Sequence, residues 1–391
     1  VRNFNFKIEH KCPTCGAPAM LEETDRLFAC PFCRVRSFLL EHEYFRYTLP
    51  YPDKSGNGRI FFPYWRFKGT FYSSGPSGTE HKFIDLSRQA AGSDYFPASL
   101  GLRSQALKLK FALPETTGQF IRPSVPLEEV VRSIRKIFLP QTEADNRIET
   151  FTGRTASIIY APFIIKNKRL YDAILDAPAS PPLPGNFDTG GHAYEKPDWP
   201  ITFIPAICPA CGWDLSGERD SIVLLCGNCD SAWHNRNRGF EKIGIGHIQG
   251  ESIESLFLPF WVIKTEIAGI DYEAERKFWI PAFKVRAHHF LRIAQQMTFV
   301  QPSGISPGKA PAGKTHHMTI PLTEAVESIK TVLAGFIKPE KDLFPLLADA
   351  VLIPESYHLV FVPFITGPHD LIFEKYNIAL NNNVLSTAGN L

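Results

Sequence analysis

Residues 12–33 read CPTCGAPAMLEETDRLFACPFC, and residues 208–229 read CPACGWDLSGERDSIVLLCGNC. Each stretch holds two Cys-x2-Cys pairs separated by 14 residues, and every cysteine of the second stretch lies 196 positions beyond its counterpart in the first. Together they account for all 8 cysteines of the chain. Thiols that fall wholly into such pairs indicate metal ligation in a reducing compartment, not a disulfide framework. Two ligands two residues apart share one tight turn, whose backbone N–H groups point back at the sulfurs and offset their charge. Gly16 and Gly212, each after a second cysteine, let the turn reach positive φ. Pro13, Pro31 and Pro209, each after a first cysteine, preset its φ. The interval between the pairs leaves room for a short β-hairpin, with strand-like residues in Met20–Ala29 and Asp220–Leu225.

Four thiolates satisfy zinc, which takes them tetrahedrally at about 2.3 Å. The expected ligand sets are Cys12, Cys15, Cys30 and Cys33, and Cys208, Cys211, Cys226 and Cys229. A catalytic zinc keeps an open position, and four cysteines leave none, so two structural ions per chain are expected. An iron site of the rubredoxin kind uses similar turns at a longer spacing and is the redox alternative. On the runs CPTCG…CPFC and CPACG…CGNC the chain resembles the zinc-ribbon family, over about 45 of its 391 residues. The resemblance implies a small β-ribbon stapled by structural zinc. Cys226-Gly227 departs from the usual Cys-Pro but leaves all four ligands in place. Zinc ribbons occur in transcription, ribosomal, replication and enzyme-accessory proteins, so the resemblance assigns no role.

The repeat continues beyond the cysteines. Pro63-Tyr64-Trp65 matches Pro259-Phe260-Trp261, Pro97-Ala98 matches Pro281-Ala282, Val125-Pro126-Leu127 matches Ile320-Pro321-Leu322, and Tyr160-Ala161-Pro162-Phe163 matches Phe361-Val362-Pro363-Phe364. The order of landmarks predicts two homologous units of α+β class, 1–176 and 201–391. The first is read as a ribbon at 8–40 and an α+β part at 58–176, the second as a ribbon at 204–236 and an α+β part at 254–391. Residues 177–200, rich in Pro and Gly, read as a semi-extended linker. A shorter interval in the second half places an insertion of about a dozen residues in the Gly- and Ser-rich stretch 73–93 of the first.

Within a unit, Trp65, Phe67, Gly69 and Phe71 alternate with Tyr64, Arg66, Lys68, Thr70 and Tyr72, which predicts a strand with one apolar face. Helices are expected after Pro97 and Pro281, and again from Pro126 and Pro321, since Pro suits a first helical turn. A closing hairpin is read over Ser157–Lys166 and Arg169–Leu175, turning at Asn167-Lys168, with its counterpart turning at 367–370. Pro162 and Pro363 argue for an edge position or a bulge.

Lys and Arg number 42 against 40 Asp and Glu; with eight thiolates and two divalent ions the formal +2 becomes −2. That balance offers no global field for nucleic acid. No apolar run approaches the roughly 20 residues of a membrane-spanning helix, and the polar start VRNFNFKIEH shows no export signal, although a first residue other than Met suggests that N-terminal residues are missing. These features predict a cytoplasmic protein. His288-His289 and His316-His317 are read as surface or partly packed residues, because adjacent histidines on a helix point apart. Residues 303–309 lack phosphate-loop spacing and read as a flexible loop. The aromatic and basic run 61–72 reads chiefly as core; Arg34, Arg36, Arg132, Arg135, Lys136, Arg236 and Arg238 are the candidates for a local basic patch. No acid pair or nucleophile recurs in both units. The expected function is therefore a non-catalytic, zinc-stabilised binding or scaffold subunit with a protein partner. Nucleic-acid binding is the alternative, followed by an enzyme with a pocket between the units lined by the four histidines.

Overall fold

The alternation seen at 64–72 marks the middle of a longer strand, Ile60–Gly75, which pairs antiparallel with Ile148–Lys166. The second half repeats this frame with Ser255–Ala268 against Val351–Thr366. The computed structural model describes residues 5–40, 43–51, 58–138, 147–185, 187, 192–236, 238–250, 255–269, 276–336 and 343–386. Strands far outnumber helices, so the α+β class holds. Each long pair carries a register slip beside a lysine: Lys68 faces Thr155 where the first ladder shifts, and Lys264 faces Ser356 where the second does.

Other partners of the two frames also match. Phe45–Thr48 runs parallel to 157–160, and Ile245–Ile248 runs parallel to 359–361. Gln119–Ile121 lies parallel to Ile60–Phe61, and Lys314–Thr315 lies parallel to Leu256–Phe257. Trp65 Nε1 donates to the Val125 carbonyl at 2.7 Å, and Trp261 Nε1 donates to that of Ile320 at 2.8 Å. Burying such a ring removes roughly 200 Å² from water, worth about 5 kcal/mol before entropy, and the indole N–H keeps its partner. The helices begun by Pro126 and Pro321 form as expected, over Leu127–Phe138 and Leu322–Ala334.

Several expectations need correction. After Pro281 a full helix forms over Ala287–Val300, but after Pro97 there is only the short helix Arg103–Ala106 before strand Lys108–Phe111. The stretch 73–93, read as holding an insertion, contains a strand that the sequence reading did not place: Gly78–Gln89 extends the first sheet against Ile60–Gly75. Residues 305–307 of the supposed flexible loop pair with 246–248. Pro162 sits in an inner strand, not at an edge. Its carbonyl accepts from Ala173 N–H at 3.0 Å, so its nitrogen faces the same side, where pairing with Phe45–Thr48 has ended at Tyr160 and pairing with Arg169–Asp172 starts at Phe163. The missing donor thus falls in a gap between partners.

The long strand of the first half is buried on both faces, against the single apolar face expected. One face holds Phe67, Phe71 and Phe151 against Ile134 of its own helix. The other turns Tyr72 and Ile148 into the core of the second half, beside Phe290. The second-half helices therefore lie between the two sheets. Glu324, in the first turn of Leu322–Ala334, accepts from Gly153 N–H at 2.6 Å and Arg154 N–H at 3.2 Å, seizing the backbone at the register slip. In the corresponding stretch of the second half no such cover is seen among the described residues: Val351 and Ile353 are exposed, as are Pro354 and Glu355.

The stretch read as a linker is extended but pinned. Ala177–Pro178 pairs with Tyr171–Asp172, and Tyr194–Glu195 pairs with Phe120–Ile121. Tyr160 OH donates to Glu195 Oε1 at 2.6 Å, Trp199 stacks on the Tyr160 ring at 5.5 Å, and the Arg46 guanidinium lies 4.7 Å from the Trp199 ring centre. Aromatic area, invisible to a Pro and Gly count, anchors the segment.

Candidate metal centres

Each cysteine turn is the tip of a hairpin. In the first ribbon, Lys7–Lys11 and Pro18–Glu22 carry Cys12 and Cys15, while Leu27–Ala29 and Arg36–Leu40 carry Cys30 and Cys33. Met20–Ala29 therefore supplies one strand to each of two hairpins and not a hairpin of its own. The turns close through their backbones. Gly16 N–H donates to the Cys12 carbonyl at 2.9 Å, Arg34 N–H to that of Cys30 at 2.9 Å, and Gly212 N–H to that of Cys208 at 2.9 Å. Gly16 and Gly212 take φ of +72° and +74°, as the sequence suggested. Arg34 and Asp230 take the same left-handed conformation, at 61° and 50°, without being glycine. Such residues carry strain that the surrounding turn must hold.

The sulfurs converge. In the first site Cys12 and Cys33 Sγ are 3.8 Å apart and Cys15 and Cys30 Sγ 3.7 Å; in the second, Cys208 and Cys229 are 3.7 Å apart and Cys211 and Cys226 3.4 Å. All four ligand atoms of each set lie within 4.8 Å of one another. A tetrahedron with metal–sulfur bonds of about 2.3 Å requires edges of about 3.8 Å, so each set can hold one metal ion. Each site has an inner pair, Cys12 and Cys30 or Cys208 and Cys226, that is buried, while Cys15, Cys211 and Cys229 are exposed. Burial pushes the Cys12 thiol up, but the backbone N–H groups of Cys15 and Thr14 and the neighbouring sulfurs outweigh it and bring the pKa down to about 6. At Cys208 the Ala210 and Cys211 N–H groups and Ser231 do the same, again to about 6. Donors aimed at sulfur are what a thiolate–metal centre needs.

The second site has a support that the sequence reading missed. Ser231 Oγ lies 3.0 Å from Cys229 Sγ and 3.8 Å from Cys208 Sγ, and accepts from Trp233 Nε1 at 2.7 Å. The corresponding position beyond the first site is Val35. A serine two residues after the last cysteine, followed by a tryptophan, was the available signal.

The two ribbons are joined. Thr202–Pro205, just ahead of the second site, pairs antiparallel with Arg36–Leu40 of the first ribbon. Leu27, Phe38 and Leu40 share one apolar cluster with Cys208, Leu224, Cys226 and Trp233. Arg219 of the second ribbon forms an ion pair with the buried Asp25, and its carbonyl accepts from Arg26 N–H at 2.7 Å and Leu27 N–H at 2.8 Å. Apolar side chains nevertheless remain exposed on the cysteine turns: Phe32 at 65% and Val35 at 38% on the first, Ile207 at 46% and Trp213 at 60% on the second. The Arg36 carbonyl accepts from Ala206 N–H at 3.1 Å, which sets Ile207 beside Val35's end of the first ribbon.

The other singled-out residues do not form a site of this kind. His288 is exposed and His289 half-buried on helix Ala287–Val300; His316 and His317 stack at 4.5 Å, and His317 Nε2 lies 3.0 Å from Asp220 Oδ1. Among the described residues, only the two cysteine sets bring together three or more metal-ligating side chains. A cleft of about 260 Å³ between the ribbons and the second half is lined by Arg26, Glu43, His234, Asn235 and Trp261 but by none of those four histidines. Arg132 and Lys136 lie on the exposed side of their helix, and Arg34, Arg36, Arg236 and Arg238 are exposed around the ribbons; the Arg135 side chain lies outside the described residues.

The unforeseen chemistry is a set of charges between the halves. Arg66 and Lys68 are buried, the former paired with Asp85 and 3.7 Å from the buried Glu23. Burial pushes Lys68 down to about 8, against the pull of Glu23, and pushes Glu324 up to about 7, against Arg154 and Lys284. Comparison with protein-family models, with curated proteins and with solved structures finds no match to this chain in any of the three.

Proposed function

We propose that the chain is a zinc-stabilised binding subunit of a larger protein assembly, non-catalytic, built by duplication of one ribbon-plus-sheet unit. The ligand roles follow: Cys12, Cys15, Cys30 and Cys33 hold one structural zinc, and Cys208, Cys211, Cys226 and Cys229 the other. Eight thiols held for metal suit the cytoplasm. Four sulfurs per ion leave no position for substrate, so the metal's work is to fix loops too small to hold themselves. The matched ladders, register slips and tryptophan hydrogen bonds support the duplication.

The observation that carries the binding role is the exposure of Phe32, Val35, Ile207 and Trp213 on turns that the metals would immobilise. Rigid apolar side chains on a surface are the usual anchors of protein interfaces. The test is affinity capture with the full chain and with a Phe32→Ser/Trp213→Ser variant that keeps two zinc ions and its melting temperature. Loss of a defined partner from the variant supports the reading; identical recovery by both, or no partner with either, ends it. The nearby Arg34 and Arg36 favour a second reading, stacking of unpaired bases on Phe32 and Trp213. Retention on single-stranded RNA or DNA that weakens steeply with salt would select it.

A further inference from the structure

The two cysteine sets are alike in their backbones but not in their side chains. Cys12 is met by the N–H groups of Thr14 and Cys15, and Cys208 by those of the matching Ala210 and Cys211. Among the described residues, the sulfurs of the first set meet only backbone N–H groups and one another. The second set has a hydroxyl as well. Ser231 Oγ lies 3.0 Å from Cys229 Sγ, and the matching position, Val35, carries no side-chain donor.

The direction of this bond is fixed. An indole N–H can only donate, so Trp233 Nε1, 2.7 Å away, gives its hydrogen to Ser231 Oγ. The hydroxyl proton is left to turn toward the sulfurs, Cys229 at 3.0 Å and Cys208 at 3.8 Å. A metal-bound thiolate has no proton of its own and accepts. Ser231 and Trp233 lie two residues apart on the strand Ser231–Arg236, so their side chains leave the same face. Ser231 is opposite Cys226 in the ladder, and Trp233 packs with Leu27, Phe38 and Leu40 of the first ribbon. Both are buried, which fixes the donor and shields it from competing water. Cys229 itself is exposed, and an exposed thiolate is where a competing ligand begins to displace a metal.

We infer that Ser231, oriented by Trp233, is a positioning residue that makes the second cysteine set hold its zinc more tightly than the first, so that the first set empties first as free zinc falls. Loss of such an outer partner typically costs roughly 10–100-fold in metal affinity. The inference rests on the proposed role of both sets as zinc centres, and it adds an order to them. As zinc runs short, the turn bearing Phe32 should loosen while the turn bearing Trp213 stays fixed, so the apolar surface is dismantled from one side.

The test uses the full chain loaded with two zinc ions and titrated with a chromogenic chelator. The two ions should leave at free-zinc concentrations at least about tenfold apart. Ser231→Ala should move the tighter step toward the looser by about tenfold and leave the looser step where it is. Ser231→Thr, which keeps the hydroxyl, should restore most of the difference. Trp233→Phe, which keeps a ring but removes the N–H, should fall between. Cobalt in place of zinc reports the bond itself. A thiolate that loses a hydrogen bond gives up its electrons more easily, so the sulfur-to-cobalt absorption should shift to longer wavelength in Ser231→Ala and not in Ser231→Thr. Release of both ions together from the unaltered chain, an effect of Ser231→Ala on the looser step, or a lowered melting temperature with an unmoved cobalt band each overturns the inference. Binding of fewer than two ions at saturation instead removes the zinc reading on which it stands.

Discussion

Ile60–Gly75 and Ser255–Ala268 are the same kind of strand in the same kind of frame, yet their surroundings differ. In the first, Arg66 and Lys68 are buried against Asp85, Glu23 and Asn5 of the same half, while further along the strand Tyr72 joins the core of the other half. In the second, Lys264 is half-exposed and pairs with Glu355 at 2.6 Å on an open face. The contact between the halves is thus one-directional among the described residues: the second half's helix Leu322–Ala334 packs on the first half's sheet, and the first half's helix makes no matching contact with the second sheet. One sequence pattern yields a buried layer or a surface according to what comes to rest on it. The charge pattern follows: Glu324 grips the Gly153–Arg154 backbone, while its sequence counterpart Glu129 is exposed. Opposite Thr265, the second half has Pro354, which has no N–H to offer.

The strongest way to break the comparison is at the metals. If each set holds zinc as proposed, Cys30→Ser and Cys226→Ser should each lower the metal content by one ion in elemental analysis, with loss of much of a binding free energy of roughly 10–16 kcal/mol that is coupled to ribbon folding. Cys226 belongs to the core shared by both ribbons, so its loss should lower the melting temperature more than that of Cys30. Equal effects would mean that the ribbons are energetically separate. Next come the matched tryptophans: Trp65→Ala and Trp261→Ala should each cost about 3–5 kcal/mol in urea unfolding, and a large inequality would break the equivalence of the frames.

The one-directional contact predicts a sharper contrast. Glu324→Ala should destabilise by about 2–4 kcal/mol, since it strands two amides and the charge of Lys284, whereas Glu129→Ala should stay within about 0.5 kcal/mol. Because burial raises the folded pKa of Glu324 from 4.5 to about 7, the folded state holds its proton more tightly than the unfolded chain. Its contribution is therefore most favourable below its unfolded pKa and is lost as pH rises through about 7, a span of about 3 kcal/mol. Glu324→Gln should flatten that slope in denaturant titrations across this range. Smallest of all, Ile353→Lys on the open face should change stability by no more than about 0.5 kcal/mol; a large loss would reveal that this face is covered after all.

What could be read in the sequence was local. Cysteine spacing located both candidate sites, period-two alternation found the long strands, and Pro126 and Pro321 marked two helix starts. What escaped was set by distant partners. Nothing near Arg66 or Lys68 announces that both will be buried, because their partners Asn5 and Glu23 lie in the first ribbon, far back in the chain. The strand Gly78–Gln89 was hidden by the Gly and Ser content around it, and its pairing is what gives it form. Trp199 was present among the prolines of the supposed linker, but its value depends on Tyr160 and Phe120 waiting on two other strands.

The pairing of Thr202–Pro205 with Arg36–Leu40 also sets a timetable for biosynthesis. The first ribbon leaves the ribosome with one edge bare, and the strand that closes it is translated about 160 residues later. At roughly 5–20 residues per second, the nascent chain carries that unpaired edge for roughly 10–30 s. Early capture of an ion by Cys12, Cys15, Cys30 and Cys33 would hold the hairpins in register during the wait, so zinc scarcity should be felt first as aggregation of unfinished chains.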